Sequence, residues 1–157
     1  MHKISRREAL AGAAAGFAIA GKTARAQANS AVTVGIIGTG GRGRFDGVLF
    51  AKDGRARMVA LCDISSEAID KAKTAIPGTD TARVYKDYHE LLADPSIDAV
   101  LIATPVFLHP EHFEAAIKAH KHIYIEKPAG ADVAGVKRLL AAAQQADKSK
   151  HIVFGFQ

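Results

Sequence analysis

The sequence is short of the features that staple or anchor a protein from outside its core. Among 157 residues there is one cysteine, Cys62, so no disulfide closes within the chain and no cysteine-ligated zinc site forms; stability has to come from an apolar core. A bilayer-spanning run is missing as well. The stretch Ala9–Gly21 is mostly Ala and Gly, with Leu10, Phe17 and Ile19 as its large side chains, and falls short of the roughly 20 residues a membrane helix needs. A basic stripe is also absent. The net charge is +5, but Lys3, Arg6, Arg7, Lys22 and Arg25 stand against Glu8 alone in residues 1–28, leaving 16 basic and 15 acidic side chains in residues 29–157. The basicity belongs to the leader, so a nucleic-acid partner has no electrostatic support. His89, His112, His120, His122 and His151 lack metal-ligand spacing backed by Cys or clustered carboxylates and read as surface or structural, so no metal is expected.

What is present suffices for one globular domain. A hydrophobic fraction of 48% and a charged fraction of 24% exclude a mainly disordered chain, and the length fills one domain but not two.

Residues 1–28 have a basic start, the weakly apolar stretch and a small-residue exit, Ala24-Arg25-Ala26-Gln27-Ala28, with A-x-A cleavage sites after Ala26 or Ala28. They read as a targeting signal absent from the mature protein. Ser5-Arg6-Arg7-Glu8-Ala9-Leu10 resembles the twin-arginine export signal, with Ala9 where an aromatic is usual; an ordinary secretory leader is the alternative. The expectation is export to the periplasm by the twin-arginine machinery, already folded and carrying its cofactor, with no stable membrane anchor after cleavage.

From residue 29 onward short apolar runs without alternation recur, as in strands buried on both faces of a parallel sheet. Six strands are predicted, at 31–37, 56–61, 83–85, 99–103, 122–125 and 152–154. Helical stretches lie between them at 44–51, 66–76, 88–93, 111–119 and 131–146. Ser65 or Ser66 can cap the second helix, Asp87 the third, Pro110 suits the first turn of the fourth, and Pro77-Gly78 ends the second. Alternating strand and helix marks an α/β fold with a doubly wound parallel sheet, the Rossmann type.

Gly38-Thr39-Gly40-Gly41-Arg42-Gly43 is G-x-G-x-x-G placed after a buried strand and opening a helix, the context in which this motif binds dinucleotides. Gly38 permits the tight turn, Gly40 lets the backbone approach a pyrophosphate, and Gly43 lets the helix lie close on the strand. The helix N-terminus offers amides and a positive dipole end. Asp63 follows 25 residues after Gly38, where a carboxylate is expected to accept hydrogen bonds from the adenosine ribose. It would repel a 2′-phosphate, and Ile64-Ser65-Ser66 holds no compensating cation, so NAD is favoured over NADP. The fourth strand leads into Thr104-Pro105 and then His109, and the fifth into Glu126-Lys127-Pro128. Residues at the carboxyl edge of a parallel sheet converge on the ligand crevice, so Thr104, Pro105, His109, Glu126 and Lys127 are expected at its nicotinamide end.

Through VGIIGTGGRG, ALCD, YKDYHELL, DAVLIATP and KHIYIEKP, residues 31–157 resemble the Gfo/Idh/MocA family of nicotinamide-dependent oxidoreductases. The resemblance implies that Lys127 orients substrate and nicotinamide and assists proton transfer, that Glu126 and Thr104 line the cofactor, and that Lys127-Pro128 is a candidate cis peptide. It also implies a small-molecule substrate of the sugar or polyol class and frequent homo-oligomers. Two departures are visible. Val106-Phe107-Leu108 stands where relatives often carry a polar residue after Thr-Pro, and the family's second α/β domain, which completes the substrate site, is not in this sequence. Three readings follow: an exported NAD-dependent oxidoreductase of which this chain is the cofactor-binding part, an NAD-dependent glycosidase of related fold, or an NAD-binding fragment that catalyses nothing.

Overall fold

The structure is a computed structural model that describes residues 31–155; the leader lies outside the described residues. Six parallel strands form one sheet: β1 Val32–Ile37, β2 Ala56–Cys62, β3 Arg83–Tyr85, β4 Ala99–Ile102, β5 His122–Ile125 and β6 Ile152–Phe154. Their spatial order is β3-β2-β1-β4-β5-β6, with every neighbouring pair parallel. Five helices connect them: α1 Gly41–Asp53, α2 Ser66–Ala75, α3 Tyr88–Ala93, α4 His109–Lys118 and α5 Val133–Ala143, with a 3-10 turn at Val106–Leu108 before α4. This is the doubly wound Rossmann architecture expected from the sequence.

The runs without alternation are explained by two cores, one on each sheet face. Ile37, Val100, Ile102, Ile123 and Ile125 pack with Leu91, Phe113, Ile117 and Leu139 from α3, α4 and α5. Val34, Ile36 and Leu101 pack with Ile69, Ala72 and Ile76 beside α1 and α2. In β2 the register shifts, with Val34 opposite Met58 and Gly35 opposite Ala60. That bulge puts Met58 and Leu61 on one face and Ala60 and Cys62 on the other. Burial drives the Cys62 thiol up to about 12, so this cysteine is an inert core residue.

Capping follows sequence expectations, with Ser65 rather than Ser66 at the start of α2: its hydroxyl accepts from the Ala68 amide at 3.2 Å. The largest boundary differences, three residues each, are at α1, which begins at Gly41 and not the expected Arg44 because the glycine motif itself forms the first turn, and at α5, which ends at Ala143 and not Ala146.

Lys121, just before β5, is buried, and its Nζ donates to the carbonyl oxygens of Asp94 and Ile97, each at 2.8 Å. Burial lowers its pKa. The ammonium closes the turn that leads into β4. Lys121→Met is expected to keep the packed stem, orphan the Ile97 carbonyl, leave that of Asp94 with the Ile97 amide as its partner, and cost about 1–3 kcal/mol, read as a lower urea midpoint with an unchanged slope.

Candidate functional site

The glycine turn is shaped by contacts that exclude side chains. Gly38 has φ 89°, in the left-handed region, and its amide donates to the Cys62 carbonyl at 2.9 Å. A Cβ there would stand 2.8 Å from the Ala103 carbonyl carbon and the Thr104 amide nitrogen. At Gly43 a Cβ would collide with the Gly38 carbonyl oxygen, which is the close approach of α1 to the turn that the motif demands. Gly40 and Gly41 differ. A Cβ on either meets nothing within 4 Å, and no side chain caps α1 at Gly40. The space over the N-terminus of α1 is open and electropositive, so these residues fit a dinucleotide pyrophosphate.

Asp63 stands at the end of β2, half-buried. Its Oδ2 accepts from the Thr39 amide at 2.8 Å and the Thr39 hydroxyl at 3.2 Å, and its Oδ1 accepts from the Ser65 amide at 2.9 Å. A carboxylate has about four acceptor positions, so capacity remains on Oδ1 for a ribose hydroxyl. Thr39 is wholly buried; it faces inward and holds the turn against β2. Lys86, from the turn after β3, brings its Nζ to 3.3 Å from the Ile64 carbonyl oxygen. This cation beside the Asp63 loop lay beyond the local stretch Ile64-Ser65-Ser66.

Between β1 and β4 the sheet order reverses, and the crevice there is where doubly wound folds bind ligands. A cleft of about 230 Å³ opens at this edge, lined by Arg42, Thr104, Val106, His109, Glu126 and Lys127. The structure thus brings five of the sequence-predicted residues to one place. Pro105 is exposed beside it, and Phe107 is 69% exposed on the 3-10 turn. Lys127 is exposed at the cleft, and the Lys127–Pro128 bond is cis. A larger groove, about 860 Å³, runs along the sheet past Val34, Leu49, Phe50, Leu101, Tyr124 and Val153. It is mostly apolar and shares only Arg42 with the cleft.

His109 is buried between the two motif loops, with Nδ1 2.8 Å from the Pro128 carbonyl oxygen and Nε2 2.9 Å from that of Thr104. The ring packs between the two loops and forms part of the cleft wall. His112, read from sequence as surface or structural, is structural: Nδ1 lies 3.0 Å from the Thr104 hydroxyl, and the ring packs 4.3 Å from Tyr88. Burial lowers its pKa and favours the neutral ring.

A charge cluster forms the floor. Arg42 Nε lies 3.1 Å from Asp46 Oδ2, and its Nη2 lies 2.9 Å from Glu126 Oε1. Glu126 also accepts from the Tyr124 hydroxyl at 3.1 Å and the Lys127 amide at 3.2 Å. Burial works against the Glu126 charge, but the hydrogen bonds from Arg42 and Tyr124 outweigh it and hold the pKa below the ordinary value. For Asp46 burial wins, pushing it up to about 6 against the pull of Arg42. Sequence reasoning missed Asp46, Tyr124 and His112. Only Asp46 carried a local signal, its helical i,i+4 spacing from Arg42. Among the described residues no group of three or more His, Cys, Asp or Glu could hold a metal ion.

The profile of the Gfo/Idh/MocA oxidoreductase family, an NAD-binding Rossmann fold, matches residues 32–154. The chain belongs to this family. It is 33% identical over 114 residues to the myo-inositol 2-dehydrogenase of Thermotoga maritima, covering 73% of this chain and 33% of that protein. The structure superposes on myo-inositol dehydrogenase from Lactobacillus casei, solved with NAD(H) and myo-inositol, with a TM-score of 0.72 and 34% identity over 80% of this chain and 36% of that one. It is also similar to a biliverdin reductase from a Synechocystis species, solved with biliverdin and NADP+, with a TM-score of 0.66 and 33% identity over 78% of this chain and 37% of that one. The chain thus spans about a third of the length of the curated relatives it matches. What this chain shares with them is the NAD-binding Rossmann fold, over residues 32–154.

Proposed function

We propose that the chain binds NAD in the β1–β4 crevice and that the full-length protein uses it to oxidise a hydroxyl group of a polyol, sugar or similar compound. The observation that carries this reading is the convergence of the glycine turn, Asp63, Thr104 and Glu126-Lys127-Pro128 on one sheet edge. Gly38 to Gly43 would hold the pyrophosphate, and Asp63 the adenosine ribose hydroxyls. Arg42, Thr104, Pro105, His109, Glu126 and Lys127 would border the nicotinamide half. When bound, the nicotinamide supplies a hydride acceptor for the carbinol carbon. Lys127, exposed at the cleft, would hold the substrate hydroxyl oxygen and, acting as the neutral amine, take its proton to become the ammonium as the carbon is oxidised. NAD is favoured over NADP by the Asp63 carboxylate, while Lys86 beside the Ile64 carbonyl pulls the other way.

Relatives named for inositols make cyclic polyols the first compounds to test. Calorimetric titration with NADH, followed by absorbance at the NADH band with a panel of inositols and sugars, tests the reading. Binding with net NADH formation is expected. Release of free sugar without net NADH would favour the glycosidase, binding without turnover the non-catalytic fragment, and no NADH binding would overturn the site itself. We propose also that residues 1–28 direct twin-arginine export, on the strength of Arg6-Arg7 and the Ala26 and Ala28 exits. A periplasmic protein beginning at Gln27 or Asn29 is expected, and a cytoplasmic protein that keeps residues 1–28 would refute it.

A further inference from the structure

We infer that Asp46 is a positioning residue for the cofactor: with Glu126 it forms a carboxyl pair that shares one proton across Arg42, so dinucleotide binding takes up a proton at this site. The inference rests on the NAD reading above and names a residue outside the fingerprint.

The geometry is that of two carboxylates and one guanidinium. Both carboxylate side chains are 4% exposed, while Arg42 is 39% exposed and reaches each of them. Fully ionised, the trio carries one net negative charge, with both carboxylates almost shut off from water and only Arg42 in contact with it, and buried charge short of compensation is costly. One proton makes it neutral. The two acids are not equivalent. Glu126 is served by Arg42, the Tyr124 hydroxyl and the Lys127 amide, whereas Asp46 has the Arg42 Nε contact. The proton therefore belongs on Asp46, the less well served of the two acids on Arg42.

The cation paired with Asp46 is Arg42, on its own helix. β1 and β4 carry no ionisable side chain; β5 brings His122 and Tyr124, with Glu126 just after its end, and Arg55, His122 and His151 line the larger groove together with Asp46. β2 brings Arg57 and Cys62, and α2 brings Glu67, Asp70, Lys71 and Lys73, of which Lys71 pairs with Glu67 on its own helix. Arg42 and Asp46 lie in the first two turns of α1, whose open N-terminus at Gly40 and Gly41 is the pyrophosphate position. A pyrophosphate with two negative charges is repelled by the ionised cluster and tolerated by the neutral one. The neutral cluster also keeps Arg42 on Glu126, and Glu126 on the Lys127 amide, at the cleft.

The test is fluorescence titration of the full-length protein with NADH from about pH 5 to about pH 8, for wild type and Asp46→Asn. In the wild type Kd should rise by about three- to tenfold as pH passes through the range where Asp46 ionises. Asp46→Asn should remove that slope and stay near the low-pH affinity. A flat wild-type profile, or a variant that keeps the wild-type slope, would overturn the inference. Calorimetry of the wild type in buffers of different ionisation enthalpy gives the same answer should the variant not fold: proton uptake on NADH binding near pH 6.5 is expected, and none would refute it. If the wild type binds no NADH at any pH, the NAD reading falls and takes this inference with it.

Discussion

Gly43→Ala is expected to lose NADH binding outright and to destabilise the domain by about 3 kcal/mol or more. The added Cβ would run into the Gly38 carbonyl oxygen and would stand 3.3 Å from the Ala103 side chain. Neither the turn nor α1 can retreat cheaply, because Gly38 is held by its bond to the Cys62 carbonyl and by close contact with Ala103 and Thr104. Unlike a flexible side chain, backbone cannot rotate away, so the helix must tilt off β1. Gly40→Ala is the matched control. Its Cβ meets nothing within 4 Å, and the backbone there, with φ −63°, suits alanine. Stability should change by less than about 1 kcal/mol, yet NADH affinity should fall by about tenfold or more, since the methyl group occupies the phosphate space. Urea unfolding and NADH fluorescence on both variants check the pair. Equal destabilisation by the two would mean that the open space is not a ligand cradle.

Lys127→Ala is expected to lower kcat by about 10²- to 10⁴-fold, the usual worth of a positioned proton-transfer group, while NADH affinity stays within about threefold. The split arises because Lys127 is exposed at the cleft beside Thr104 and Glu126, whereas in the proposed reading the pyrophosphate and adenosine ribose would be held at Gly40, Gly41 and Asp63, away from it. The Lys127 amide, which donates to Glu126 at 3.2 Å, survives the substitution, so the charge cluster remains intact. Steady-state kinetics of the full-length protein with an inositol that supports turnover, alongside NADH titration, separates kcat from affinity. A parallel loss of both would show Lys127 to be a cofactor anchor and not a proton carrier.

Much of this was legible along the chain because the physical demands are local. Ala99–Ile102 and His122–Ile125 read as strands since each residue must be apolar when both sheet faces are covered. The turn at Gly38 needs a positive φ, and Asp87 declares a helix start by accepting the amide two residues on. The α1 boundary was misjudged for the complementary reason. Glycine carries almost no helix-forming preference, so the helical state of Gly41 and Gly43 is imposed by docking on Gly38 and Ala103.

The sequence by itself determined the strand order's raw material, the glycine turn, the acid at the end of β2 and the motif after β5, because backbone conformation, caps and apolar periodicity depend on near neighbours. Only the tertiary structure decided which polar groups pair. It turned Thr39 inward onto Asp63, placed His109 between two carbonyl oxygens, set His112 under Thr104, and joined Arg42 to Glu126 across 84 residues of chain. A buried polar atom must find a partner wherever folding brings one, and that meeting is settled by the packing of the sheet and its helices, not by spacing along the chain.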